Sequence, residues 1–246
     1  MTSCKELSEL YEAAISGILL GNKDLSHLSN KVGIKNYIKI ADEIKKIIKK
    51  GKILDWGCGY GHMTYLLRNR DIESMPYEVE KRDNLEKFQI FSKLNIIFGD
   101  NEHRLPFETG FFDGVLSCGT LEHVSDINSS LIEVSRILKK DGFFFIYMLP
   151  NKRSYAEWIA EKRGKSIHPV KYNIKEISKI LGNFGYKIIT IRRSNLLPKN
   201  LTDLPFIIKK IYGSLSFLII PIDSLLSKIP LLNQFCGVFE IVAKKK

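Results

Sequence analysis

Closely spaced cysteines, long apolar runs and internal repeats are what this sequence lacks. The four cysteines, Cys4, Cys58, Cys118 and Cys236, are far apart. No CxxC pair and no Cys/His cluster has metal-ligand spacing, so neither a disulfide framework nor a metal site is expected. No apolar stretch is long enough to span a bilayer: that from Ile211 to Ile222 is short, and Pro221 and Asp223 interrupt it. The first residues carry no basic-then-apolar leader, since Glu6, Glu9 and Glu12 break them up. A reducing, cytoplasmic setting is therefore expected. Acidic residues are scarce in one part only. Residues 151–246 hold 18 Lys/Arg against 6 Asp/Glu, whereas residues 51–150 hold 11 against 15. A basic patch of that kind suits nucleic acid, an anionic membrane or an acidic substrate, and its surroundings decide which.

What is present is a globular chain of 246 residues, 44% hydrophobic. Residues 5–20 and 35–50 read as helices, the second with Ile40, Ile44, Ile47 and Ile48 on one face and Gly51 as its stop. Then strand and helix patterns alternate. Strands are expected at 52–57, 74–80, 95–100, 111–119, 143–150, 186–193 and 238–245. Helices are expected at 63–69, 84–93, 126–138 and 173–184, with a turn at Asp141-Gly142. Such alternation predicts an α/β fold, a doubly wound, mainly parallel sheet covered by helices on both faces.

Three polar groups fall at three successive strand ends. In ILDWGCGYG (53–61) a strand ends at Asp55, and glycines follow at 57, 59 and 61. Glycine permits a tight turn and close approach of backbone to ligand, at the sheet edge where doubly wound folds bind. The spacing is GxGxG, not the GxGxxG that cradles a dinucleotide pyrophosphate, and the acid before it suits a cationic ligand. This makes a nicotinamide-dependent enzyme an unfavoured reading. In PYEVE (76–80), Glu78 and Glu80 share a strand face, and Glu78 is nearer the distance at which an acid accepts from ribose hydroxyls. Asp100, with Asn101, closes NIIFGD and can accept from an adenine amino group.

ILDWGCGYG resembles motif I of the class I S-adenosylmethionine-dependent methyltransferases. GDNEHRLPFETGFFDGVLSCGTLEHVSD (99–126) and LIEVSRILKKDGFFFIYMLPN (131–151) resemble the later motifs of its small-molecule branch. The resemblance implies a Rossmann-like, seven-stranded sheet in the order 3-2-1-4-5-7-6 with an antiparallel last strand, and S-adenosyl-L-methionine as methyl donor. It implies that Asp55, Gly57 and Gly59 hold the amino-acid part, Glu78 the ribose, Asp100 and Asn101 the adenine, and that Cys118 lines the methionine side. Many members have Asp at the position of Glu78, and either acid can bind a diol. The expected organisation is an N-terminal helical cap (1–50), the cofactor-binding core (51–193), an insert (194–237) and a closing strand (238–246).

Methyl transfer to oxygen needs a group to take the acceptor's proton. His123, in LEHV just after the fourth strand, is the first candidate base, and His168, in SIHPVKYN, is the second. Glu122-His123 could instead shape the loop and cap the next helix. His62 is expected beside the cofactor or packed, and His27 and His103 at the surface.

The insert is apolar. Its polar residues recur at 209, 210, 213 and 214, then at 223, 224, 227 and 228, the narrow polar face of two short helices punctuated by Pro205, Pro221 and Pro230. Two readings fit: buried helices forming a lid or dimer surface, or a segment lying in an anionic membrane surface through residues 204–232. The predicted acceptor is a hydrophobic or lipid-linked small molecule, or a sugar on a lipid. Placement is then cytoplasmic, peripheral on the inner face of the cell membrane. An RNA methyltransferase is the enzymatic rival, disfavoured because SCGTLEH stands where amino-directed nucleic-acid enzymes carry [DN]PP[YF], and no added RNA-binding module is seen. A non-catalytic cofactor-binding scaffold is the rival of another class.

Overall fold

The computed structural model describes residues 2–246 except 23, 102, 167, 200, 202 and 203. The last three belong to the expected insert, and 102 and 167 to quoted motifs, so those positions lie outside the described residues. The chain opens with α1 (Thr2–Leu19) and α2 (Lys31–Ile47). The strands are β1 (Lys52–Trp56), β2 (Glu73–Glu78), β3 (Ile97–Phe98), β4 (Phe112–Cys118), β5 (Leu138–Pro150), β6 (Tyr186–Ser194) and β7 (Val238–Lys245). Between them lie α3 (His62–Arg68), α4 (Ile127–Ile137), α5 (Tyr155–Lys162), α6 (Ile174–Asn183), α7 (Phe206–Ser214) and α8 (Ser216–Leu226).

The seven strands form one sheet in the order β3-β2-β1-β4-β5-β7-β6, with β7 antiparallel to both neighbours, as expected. Strand periodicity explains how one sheet serves two cores, because successive side chains point to opposite faces. Ile53, Leu116, Phe145 and Val242 meet α1, α2 and α3 on one face. Leu54, Val115, Phe144 and Ile241 meet α4 and α6 on the other. Caps fix the helix starts. The Asn30 side chain accepts from Gly33 N–H at α2, and Asp126 from Asn128 N–H at α4. Asn173 and Glu176 close a reciprocal capping box at α6.

Several expectations fail locally. The helix expected at 84–93 is a 3-10 turn at Leu85–Lys87 followed by further turns. Its buried Phe88, Phe91 and Leu94 are spaced by three, and Phe91 and Leu94 donate to carbonyls three residues back. That repeat fits three residues per turn, not 3.6. β3 shrinks to two residues, preceded by Asn95 at φ 55. α2 starts at Lys31 and ends at Ile47, which is exposed, so Gly51 is not its stop. Asp141 (φ 63) and Gly142 do not precede β5; they form an irregularity within it. α5 was not expected at all.

The insert forms two helices as expected, but each buries part of its polar stripe and turns its large apolar side chains outward. Pro221 sits inside α8 and does not end it. Lys209, Ser216 and Asp223 are buried, whereas Phe206, Ile207, Ile211, Phe217, Leu218 and Leu225 are exposed. The polar side packs on α2: Lys35 Nζ donates to Ser216 Oγ at 2.8 Å, and Lys199 Nζ reaches Asn36 Oδ1 at 2.9 Å and Asp223 Oδ2 at 3.1 Å. A lid of buried apolar helices is thereby ruled out, because the apolar sides face outward.

Candidate active site

The site forms at the carboxyl edge of the sheet, where β1, β2 and β4 end side by side. The turn after β1 carries Gly57, Gly59 and Gly61 at φ 69, 59 and 87, the left-handed region that side chains disfavour. A Cβ at Gly57 would stand 2.3 Å from Thr120 Cγ2, so this turn presses on the one after β4. A Cβ at Gly59 would meet nothing within 4 Å, so there the backbone fronts open space. Glu78 ends β2, almost wholly buried. Its Oε2 accepts from Gly59 N–H at 2.7 Å and its Oε1 from Val79 N–H at 2.9 Å, and Arg82 lies 3.3 Å away. Glu80 falls beyond the strand and is exposed, so the structure separates two acids that strand parity could not.

Asp55 is buried at the end of β1. Its Oδ2 accepts from Thr64 N–H at 2.9 Å and from Thr64 Oγ1–H at 2.7 Å, which ties β1 to the first turn of α3. Burial outweighs those bonds and pushes its carboxyl up to about 6. A cation beside it relieves that cost. Asp100 is exposed after β3. Asn101 is fastened beside it: its carbonyl accepts from Tyr77 OH at 2.7 Å, and its Oδ1 accepts from His103 and Arg104 N–H. Cys118 ends β4, with its thiol pushed up chiefly by burial. The residues present therefore fit a cationic nucleoside: buried carboxylates at two strand ends, and open backbone between them.

His123 and His168 meet, with ring centroids 5.9 Å apart. His123 is half-exposed, and burial followed by repulsion from His168 lowers its imidazole below the ordinary value. His168 Nδ1 lies 2.8 Å from Glu157 Oε1 on α5. Glu122, buried beneath them, is pushed up to about 7 by desolvation. It does not cap α4; Asp126 does. Tyr37 of α2 joins the group, its phenol raised by burial and then by Cys118 and Glu122. Sequence reasoning missed Tyr37 and Glu157, since neither sits in a motif and α5 was not foreseen. His62 packs, as one alternative had it, against Tyr37 and His27 with centroids 4.5 and 5.1 Å away. His27 is thus no free surface group. Nor is His103, whose ring nitrogens lie 3.2 Å from Ser130 Oγ and 2.8 Å from Ser125 Oγ.

Residues 54–146 match the family described as "Methyltransferase domain". Among curated relatives, an arginine-hydroxylase NDUFAF5 of Danio rerio is 24% identical, over 70% of this chain and 56% of that one. The ubiquinone biosynthesis O-methyltransferase of Pelagibacter ubique is 31% identical, over 42% of this chain and 44% of that one. The chain spans about half the length of the curated relatives it matches. Among solved structures, the Burkholderia thailandensis 1,6-didemethyltoxoflavin-N1-methyltransferase, with S-adenosylhomocysteine bound, shares the fold. Its TM-score is 0.57 at 14% identity, covering 97% of this chain and 88% of that one. Residues 54–146 thus match a methyltransferase domain, set on a seven-stranded sheet of the Rossmann-like methyltransferase order with a carboxylate-flanked glycine turn.

Proposed function

We propose that the protein transfers a methyl group to an oxygen of a hydrophobic or lipid-linked small molecule, or of a sugar carried on a lipid, at an anionic membrane surface. When bound, S-adenosylmethionine supplies the methyl carbon and a thioether leaving group. The chain's own residues align and solvate. Asp55, with the open backbone at Gly57 and Gly59, receives the amino-acid part, and Glu78 the ribose hydroxyls. Asp100 and Asn101 receive the adenine, and Cys118 borders the methionine side. Across from them, His123, backed by His168, takes the acceptor's proton at an imidazole nitrogen. Positioning of this kind can supply several kcal/mol of barrier lowering.

The observation that carries the acceptor class is the outward apolar face of α7 and α8. The insert leaves the sheet at Ser194 and returns at Val238, which pair with each other, and Val238 also pairs with Pro150 at the end of β5. The apolar face is thus tethered to the sheet edge that carries the glycine turn. No helix among the described residues is long and apolar enough to cross a membrane. Contact through residues 204–232 is therefore interfacial, with nearby lysines facing anionic headgroups. The Pelagibacter ubique relative is named for ubiquinone biosynthesis, which agrees with an apolar acceptor.

The test is release of S-adenosylhomocysteine with a prenylated phenol in anionic vesicles, compared with the chainless phenol in buffer. Turnover should favour the prenylated compound. Equal turnover of both overturns the lipid reading, and release with neither overturns the phenolic acceptor.

A further inference from the structure

Glu122 and His123 sit after β4, and His168 lies far along the chain before α6. No spacing in the sequence joins them, which is why no metal site was expected. The fold does join them: one ligand atom from each lies within 4.8 Å of the other two. The Glu122 side chain is 2% exposed, yet its Oε2 has no hydrogen-bond partner among the described residues. A buried carboxylate oxygen left bare is costly, and a cation in front of it removes the cost. Glu157 Oε1 holds His168 Nδ1 at 2.8 Å. With Nδ1 so engaged, Nε2 is the nitrogen left to offer an ion, the arrangement by which a carboxylate orients a metal-bound imidazole.

We infer that Glu122, His123 and His168 form a binding site for one first-row divalent transition-metal ion, oriented by Glu157, on the acceptor side of the active site. Two imidazoles and one carboxylate select a borderline ion such as Zn2+, Co2+ or Fe2+ over Mg2+ or Ca2+, which prefer oxygen. Bonds of about 2.1 Å need ligand atoms about 3–3.5 Å apart. His123, half-exposed, is the side chain free to turn and close the set. Three protein ligands leave coordination positions open, as catalytic sites require. An acceptor hydroxyl occupying one is held at a fixed angle and ionises more readily, its proton passing to solvent. An imidazole bonded to the ion cannot also take that proton, so the His123 base role of the proposed function belongs to the ion-free chain, and in the loaded chain the ion's charge activates the hydroxyl instead. This role rests on the methyl-transfer reading; the ion site itself does not.

The experiment uses untagged full-length protein stripped with a chelator. Co2+ is titrated with the visible absorption as readout and Zn2+ by calorimetry, and S-adenosylhomocysteine affinity is measured in parallel on the stripped protein. The expected result is one ion per chain, with Co2+ showing the bands of imidazole ligation. His123→Ala and His168→Ala should each weaken uptake at least about tenfold, and Glu157→Gln by about tenfold, with unchanged S-adenosylhomocysteine affinity. His123 is half-exposed, so its variant folds whatever Glu122 variants do. No saturable uptake of either ion, or uptake unchanged in both histidine variants, overturns the site. Uptake without any S-adenosylhomocysteine binding supports the site while sinking the methyl-transfer reading.

Discussion

The Glu78 carboxylate accepts the Gly59 N–H at 2.7 Å, a charge-assisted bond that joins the backbone bonds from Gly57 and Cys58 N–H to the Tyr77 carbonyl in fastening the turn after β1 to the end of β2. The same side chain is the one proposed to meet the ribose. Glu78→Ala should therefore loosen the turn and remove the diol acceptor together. The expected loss of S-adenosylhomocysteine affinity is about 10- to 100-fold, taking about 1.5–3 kcal/mol for hydrogen bonds to a charged group. Asp100→Ala, at an exposed position, should cost less than tenfold. Calorimetry on both variants checks the order, and an equal effect would remove Glu78 from its proposed role.

Asp55 makes a pH prediction of definite sign. Its folded carboxyl, at about 6, lies above the ordinary value of 3.8 because burial penalises the charge. Between these values the folded chain keeps a proton that the unfolded chain has released. This contribution to stability is present below pH 4 and is lost as pH rises to 6. Asp55→Asn escapes that loss and can keep the Thr64 bonds through its amide oxygen. It should match the wild type near pH 4 and exceed it by about 1–3 kcal/mol above pH 7. The variant should also bind S-adenosylhomocysteine more weakly, since the charge that costs stability is the one proposed to meet the ligand's ammonium. Denaturant titrations at pH 4 and pH 8 measure the first effect; a variant no more stable at pH 8 would contradict it.

Signals that travel with local geometry were legible in the sequence. The glycines at 57, 59 and 61 announced left-handed turns and occupy them. Alternating apolar runs announced β1, β4 and β7, and β7 spans Val238–Lys245 as expected. What failed was set by distant partners. Phe88, Phe91 and Leu94 are apolar enough for a helix, and only burial at a spacing of three shows otherwise. His123 and His168 could be singled out separately, but their meeting, and Glu157 behind them, depends on α5. The narrow polar stripe of the insert was visible, yet which side faced the protein was not. Polar stripes usually face water, whereas here Asn36, Lys35 and Lys199 offer polar partners beneath the insert.

Lys199 and Asp223 form the buried ion pair under that insert, with side chains only 7% and 3% exposed. Asp223 Oδ1 also accepts from Leu197 N–H at 2.7 Å. Burial lowers the Lys199 ammonium, and the carboxylate opposes that shift. Removing one partner leaves the other charged and dry, which typically costs about 3–5 kcal/mol. Lys199→Met and Asp223→Leu should each fall in that range, and the double variant should cost far less than their sum. A double-mutant cycle by chemical denaturation reads the coupling; strict additivity would mean the pair does not anchor the insert.

Ile207, Phe217 and Leu225 stand 67%, 65% and 65% exposed on the outer face of the insert. Side chains so placed contribute little to folding, so replacing each by Ser should shift stability by no more than about 0.5 kcal/mol. Their effect on membrane binding should be far larger, because sinking such a side chain into an acyl layer is favourable by about 1.5–3 kcal/mol. The triple variant should therefore lose more than about 100-fold in affinity for vesicles containing anionic lipid. The exposed lysines of the same segment, Lys210 and Lys228, add attraction that salt screens over about 10 Å at 0.1 M. Raising the salt should weaken the wild type and the triple variant by a similar factor, since only the charge contribution is screened. Cosedimentation at low and high salt separates the two contributions. A wild-type chain that stays in solution with anionic vesicles at low salt would leave the apolar face to another partner, and a triple variant that sediments fully would place the contact elsewhere on the surface.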